Sequence, residues 1–210
     1  WLFHAESGHY EQAWRLLTEE NPLPAVMGRV CYHPCETSCN RGHLDQVVGI
    51  NGIERFLGDE ALRQGWKFEA PKASSGKKVL VVGAGPSGLS AAYHLARFGH
   101  SVTIREAGPV AGGMMRFGIP KYRLPREVLD AEVQRILDLG VRLELGSKVS
   151  NVLQAKTEGG FDAVFLAVGA HIAKRAYIPA GEAAKMLDAV AVLRSMEGDE
   201  KPMLGRRVAV

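Results

Sequence analysis

Apolar positions recur along the first third of the chain in a helical rhythm. Over residues 9–20, Tyr10, Ala13, Trp14, Leu16 and Leu17 share one face, and Asn21-Pro22-Leu23-Pro24 ends the pattern, which predicts a short helix followed by a rigid turn. Ile50, Ile53, Phe56, Leu57, Ala61 and Leu62 then recur at steps of three and four up to Gly65, predicting a second amphipathic helix packed on the first. Residues 69–78 are polar, lack a period and contain Pro71, Ser74, Ser75 and Gly76, so a linker and a domain boundary are expected there.

Beyond that boundary the pattern changes. The apolar run at 79–82 meets a glycine turn, a helical stretch follows at 89–98, and after Gly99 comes the strand-like 101–105, giving the order βαβ. Pro125 suits the first turn of a helix carrying Val128, Leu129, Val133, Ile136 and Leu137, which Gly140 closes before an alternating strand at 141–145. Residues 161–168 read as another buried strand. With no internal repeat of solenoid length, the expected architecture is a helical segment followed by an α/β domain.

Composition narrows the function classes. At 210 residues and 46% hydrophobic content the chain can form one or two domains. A formal charge of +3 on scattered Lys and Arg gives no nucleic-acid or membrane-surface footprint. No apolar run approaches the ~20 residues of a membrane-spanning helix, and the chain opens at Trp1 without a basic region or cleavage site, so a soluble fragment is expected. All the cysteines, Cys31, Cys35 and Cys39, fall in one short stretch, which points to a metal centre in a reducing compartment, the cytoplasm, rather than to a disulfide framework.

Gly83-Ala84-Gly85-Pro86-Ser87-Gly88 follows a strand and opens a helix, the context that separates a phosphate-binding turn from a chance glycine cluster. In such turns the first glycine makes the tight bend, the second admits a pyrophosphate and the third lets helix and strand approach. The helix N-terminus supplies free amides and a positive dipole end. Glu106, at the end of the second strand, can accept from ribose hydroxyls and disfavours a 2′-phosphate. On spacing alone FAD and NAD both remain open. The next motifs are Gly112-Gly113-Met114-Met115, Phe117-Gly118-Ile119-Pro120 and Tyr122-Arg123-Leu124-Pro125. With them, residues 79–125 resemble the FAD-binding domain of the small subunits of NADPH-dependent glutamate synthase, and the corresponding part of dihydropyrimidine dehydrogenase. The resemblance implies that Gly83, Ala84, Gly85, Pro86, Ser87, Gly88, Glu106, Gly112, Gly113, Met114 and Arg123 contact FAD, and that Gly169 lies beside it.

Cys31-x3-Cys35-x3-Cys39 supplies soft ligands for iron–sulfur clusters, or for zinc with His33 or His43 as a fourth ligand, although the two-plus-two spacing of zinc sites is missing. Residues 21–39, followed by Gly52-Ile53-Glu54-Arg55-Phe56, resemble the N-terminal cluster domain of the same family. That resemblance implies two 4Fe-4S clusters, with Cys31 and Cys35 serving one, Cys39 the other, and Glu54 as a non-cysteine ligand. Further cysteines lie upstream in the family, so the ligand set within this chain is expected to be incomplete. Met27 stands where the family commonly has cysteine.

Residues 178–182 and 187–196 resemble the family's crossover out of the FAD domain, and 205–210 the first strand of its NADPH domain. The fold class expected from the resemblance is therefore α/β: a helical iron–sulfur segment (1–70), a linker (71–78), a partial Rossmann-like FAD-binding βαβ domain (79–204), and the opening strand (205–210) of an NAD(P)H domain that is itself absent. The implied function is electron transfer from NAD(P)H through FAD to iron–sulfur clusters and a redox partner subunit or domain. No catalytic acid, base or nucleophile stands out, as expected where cofactors carry the reaction. The alternatives are a non-catalytic FAD-binding module and a zinc-stabilised interaction module.

Overall fold

The computed structural model describes residues 1–70, 73–170, 186–197 and 203–208. Helices α1 (Leu2–Glu6) and α2 (Tyr10–Leu17) open the chain. The turn expected at 21–24 holds only as far as Leu23, whose amide donates to Asn21 Oδ1 at 3.0 Å. Pro24 then begins α3 (Pro24–Val30), because a proline at the first helical position gives up an N–H that has no intrahelical acceptor anyway. After α4 (Pro34–Thr37) and a 3-10 turn (Asn40–His43), α5 (Ile50–Gln64) runs to Gly65 as its periodicity predicts. Helices α3 and α5 cross almost backbone to backbone: a Cβ at Gly28 would lie 2.5 Å from Arg55 Cα, and one at Gly58 would lie 2.6 Å from Ala25 Cα.

The α/β part begins with β1 (Lys78–Val82), α6 (Pro86–Arg97) and β2 (Ser101–Arg105). It continues through α7 (Met114–Phe117), α8 (Arg126–Leu137), β3 (Arg142–Glu144), α9 (Val152–Glu158), β4 (Ala163–Leu166) and α10 (Ala189–Ser195). The strands form one parallel sheet in the order β3-β2-β1-β4, with Val79 opposite Val102 on one side and Ala163 on the other. Successive residues of β1 face opposite layers: Val81 joins the core beneath α6 and α8, whereas Leu80 and Val82 pack with Ala155 of α9. Strand β4 departs from the buried strand expected at 161–168. Among the described residues it pairs with β1 alone, and Phe165 and Leu166 are exposed. Residues 178–182 lie outside the described residues, and of the strand expected at 205–210 the described part, 205–208, is irregular.

The helical segment and the sheet share one core, since Leu23 and Val26 pack in the same cluster as Leu89, Tyr93, Leu129 and Ile136. Two polar joints fix this contact. The carboxylate of Glu132, on α8 and fully buried, accepts from Ala25 N at 3.0 Å and Val26 N at 2.9 Å, so it caps the first turn of α3. On the other side α6 reaches the end of α2: the Tyr93 hydroxyl donates to Thr18 O at 2.6 Å, and Arg97 donates to Glu19 O at 3.0 Å. Between these joints Trp14 stacks on Phe68, and the buried Arg135 guanidinium lies 5.1 Å from the Trp14 ring centroid.

Burial pushes the Glu132 carboxyl up to about 7 from its ordinary 4.5, while the two amides and the charges of Arg135 and Arg29 pull the other way. A carboxyl that binds its proton more tightly when folded contributes stability below about 4.5 that is lost as the pH rises through about 7. The unfolding free energy of the wild type, relative to Glu132→Gln, is therefore expected to fall by on the order of 3 kcal/mol between those limits. Urea melts of both proteins at several pH values read this directly, and a pH-independent difference would refute it. Gly58→Ala drives a methyl into the Ala25 backbone and is expected to cost ~1–3 kcal/mol in the same melts.

Candidate functional site

The order β3-β2-β1-β4 reverses direction at β1, and ligands of open parallel sheets bind at the carboxyl ends of the strands beside such a switch point. That is where the chain places Gly83. It has φ +107°, a conformation that needs glycine, and a Cβ there would strike the carbonyl of Ala167 at the end of β4. Gly88, one turn into α6, sits so close to the Gly83 carbonyl that no side chain fits. Gly85 differs from both: its φ is −80°, and the nearest atom to an added Cβ is Gly113 Cα at 3.8 Å. The space beside it at the helix N-terminus is open. Pro86 and Ser87, at the start of α6, are exposed beside it.

Glu106 follows β2 and is half-buried. Its Oε2 accepts from Ala84 N at 2.7 Å and its Oε1 from Gly108 N at 2.8 Å, so the carboxylate braces the glycine turn. Two amides occupy two of about four lone-pair positions, leaving acceptor capacity for a pair of hydroxyls. The second glycine pair comes to the same place. Gly112 N donates to Ala84 O at 2.8 Å, and Gly113, at φ +52°, packs so that a Cβ would lie 2.7 Å from Gly85 Cα. Met114 is partly exposed next to it. Gly169 lies two residues beyond the Ala167 carbonyl that touches Gly83. Arg123 lies exposed on the turn after Pro120, and its amide donates to Pro120 O at 3.0 Å.

In the cysteine segment, Cys31 caps the C-terminus of α3, Cys35 is exposed in α4 and Cys39 precedes the 3-10 turn. Backbone amides point at two of the sulfurs. His33, held at φ +43°, donates its N–H to Cys31 Sγ at 3.3 Å. Backbone hydrogen bonds from Val48 and Arg41, with a further one from Gly42, hold the Cys39 thiol below its usual range. Such donors stabilise thiolates and tune cluster potentials. Glu54 sits half-buried on α5, where burial raises its carboxyl while the Asn21 amide, donating to it, opposes the rise. Among the described residues no three His, Cys, Asp or Glu side chains converge as for a single metal ion.

Sequence periodicity missed the charged groups that hold these loops. Glu132 lies on the apolar stripe of its helix, three residues after Leu129 and four before Ile136, and an acid at such a position is the signal of a buried cap. Arg116, Arg126 and Glu197 meet around the 113–125 loop, and their distance apart along the chain leaves no such signal.

A parallel sheet with a glycine turn at its switch point, joined to a helical segment carrying three cysteines, is the architecture of a Rossmann-like domain preceded by a cysteine-bearing helical unit. Comparison with known proteins agrees. Residues 1–66 match the family described as dihydropyrimidine dehydrogenase domain II, 4Fe-4S cluster, and residues 81–155 match the NAD(P)-binding Rossmann-like domain. The chain is 40% identical to the beta subunit of NADP(+)-dependent formate dehydrogenase of Moorella thermoacetica, over 98% of this chain and 33% of that protein. It is 40% identical to the beta subunit of the NADPH-Fe(3+) oxidoreductase of Geobacter sulfurreducens, over 79% of this chain and 25% of that one. With the small chain of NADPH glutamate synthase of Bacillus subtilis the identity is 35%, over 78% of this chain and 34% of the relative. The chain is a homologue of these pyridine-nucleotide oxidoreductase subunits, and it spans about a third or less of the length of the three. Among the described residues no helix is long and apolar enough to cross a membrane.

Proposed function

We propose that the chain is the flavin-binding and cluster-carrying part of an oxidoreductase that passes electrons from NAD(P)H through FAD to 4Fe-4S clusters and on to a partner subunit or domain in the cytoplasm. The observation that carries this reading is the pairing, at one switch point, of an open helix N-terminus at Gly85 with the Glu106 carboxylate. An acid at the end of β2 accepts ribose hydroxyls and repels a 2′-phosphate. Two of the relatives described above are named for NADPH and one for NADP(+). A nucleotide with a 2′-phosphate is then best accommodated elsewhere in the whole protein, which leaves this turn to FAD.

In this reading Gly83, Ala84, Gly85, Pro86, Ser87 and Gly88 hold the pyrophosphate against the start of α6, and Glu106 holds the ribose. Gly112, Gly113, Met114, Arg123 and Gly169 line the rest of the site. When bound, FAD supplies a hydride acceptor that releases electrons singly. The residues around it bind and orient, and none is assigned as an acid or base. Cys31 and Cys35 serve one cluster and Cys39 the other, with Glu54 as a further ligand, and the backbone amides around Cys39 favour its thiolate form. The assigned divisions are a cluster segment at 1–70, a linker at 71–78, a flavin domain at 79–204 and the opening of a second nucleotide domain at 205–210.

The visible spectrum of the purified protein, taken before and after dithionite, is expected to show flavin bands that bleach, and heating is expected to release FAD. A colourless protein that takes up no added FAD sinks the flavin assignment, and release of NAD in its place reassigns the turn. Two substitutions sharpen the test. Gly85→Ala meets only ordinary contact in the protein, so its unfolding free energy should stay within ~0.5 kcal/mol of wild type while FAD affinity drops at least about tenfold. Gly88→Ala collides with the Gly83 carbonyl and should cost ~1–3 kcal/mol of stability in the cofactor-free protein.

A further inference from the structure

Residues 111–125 make the second glycine turn and much of the wall beside it, yet α7 is only four residues long, so few of their backbone groups are paired within regular structure. One side chain takes over that role. Arg126 donates to three carbonyls of the loop, Leu124 O at 2.9 Å, Arg116 O at 2.6 Å and Ile119 O at 2.9 Å. Glu197 accepts from the Arg126 Nε at 3.0 and 2.9 Å and, at 2.8 Å, from the same Nη2 that donates to the Arg116 and Ile119 carbonyls. Arg126 and Glu197 are 14% and 15% exposed, so their hydrogen bonds are largely shielded from water.

Glu197 stands just past the end of α10, 71 residues along the chain from Arg126. The same short element makes further contacts with the loop. Lys121 Nζ donates to Glu197 O at 3.3 Å, and the Arg194 guanidinium lies 5.4 Å from the Phe117 ring centroid. On the far side the connection continues to the phosphate turn. Buried Arg116 is paired with Asp130, faces Glu197 at 3.5 Å, and donates from Nε to Ala111 O at 2.6 Å. The next residue, Gly112, donates to Ala84 O within the glycine turn.

We propose that Glu197 is a positioning residue: by docking the end of α10 onto Arg126 it holds the 111–125 loop, and with it Gly113, against the phosphate turn, so that docking of α10 and FAD binding favour each other. The coupling rests on the flavin reading above, whereas the positioning of the loop does not. Burial raises the Glu197 carboxyl, but the Arg126 hydrogen bonds and the charges of Arg126, Lys121 and Arg116 outweigh it and hold the group below its ordinary range, as a docked carboxylate requires. Because linkage is reciprocal, FAD must strengthen the docking of α10 by the factor by which docking strengthens FAD binding.

The test is amide hydrogen exchange on the whole chain, with and without FAD, for wild type, Glu197→Gln and Glu197→Asp. Gln sets an amide donor against the Arg126 donors. In the cofactor-free protein it is expected to speed exchange at 186–197 and 113–125 together while α5 and α9 keep wild-type rates, with partial rescue by Asp. FAD should slow exchange at 186–197 in wild type but not in the Gln variant, whose FAD affinity falls about five- to a hundredfold. Faster exchange confined to 186–197, or a uniform rise that includes α5, overturns the positioning role. Unchanged FAD affinity in a variant whose α10 is released overturns the coupling. If wild type takes up no FAD, the flavin reading fails while the cofactor-free comparison still decides the positioning role. If the Gln variant does not fold, Arg194→Ala loosens α10 from the Phe117 side and reads the same pair of segments.

Discussion

Two oxygens of one carboxylate hold the helical segment to the sheet. Glu132 accepts the Ala25 and Val26 amides with no access to water, so the first turn of α3 is completed by a residue from the α/β part. The position of Cys31 follows from it, since that cysteine closes the other end of the same seven-residue helix. Tyr93 and Arg97 make the complementary joint at the end of α2. Removing water from a carboxylate is costly, so burial pushes this carboxyl up to about 7 although the two amides and the nearby arginines pull the other way. Together the joints hold α2 and the start of α3 against the α/β part.

The proposed nucleotide site is organised differently. Its rigid half, the glycine turn and α6, is held by the strand ladder and by contacts that admit no side chain at Gly83 or Gly88. Its other half is a loop held by Arg116 and Arg126, with Glu197 reaching in from a separate element. The Glu106 carboxylate braces the turn through Ala84 N and Gly108 N and retains lone pairs that these two bonds do not use.

Much of this was legible in the sequence. Strand β2 begins and ends at the residues its pattern marks, α5 runs from Ile50 almost to Gly65, and the glycine turn sits between strand and helix as its context requires. The failures have physical causes. Pro24 stops one pattern but is equally suited to start a helix, and the start of α3 was hidden behind that ambiguity. An apolar run such as that of β4 reports a strand without reporting what covers it, so Phe165 and Leu166 read as buried although among the described residues they are exposed. Contacts such as Arg126 with Glu197 have no period to reveal them, since they depend on where the fold brings distant segments.

The capping of α3 by Glu132 also sets an order of events during synthesis. The carboxylate follows the Ala25 amide by 107 residues. A ribosome adds about 5–20 residues per second, so α3 and the cysteines behind it emerge on the order of 5–20 s before their cap exists. Over that interval the Ala25 and Val26 amides lack their acceptor, which is in place only when the helix after Pro125 has been made.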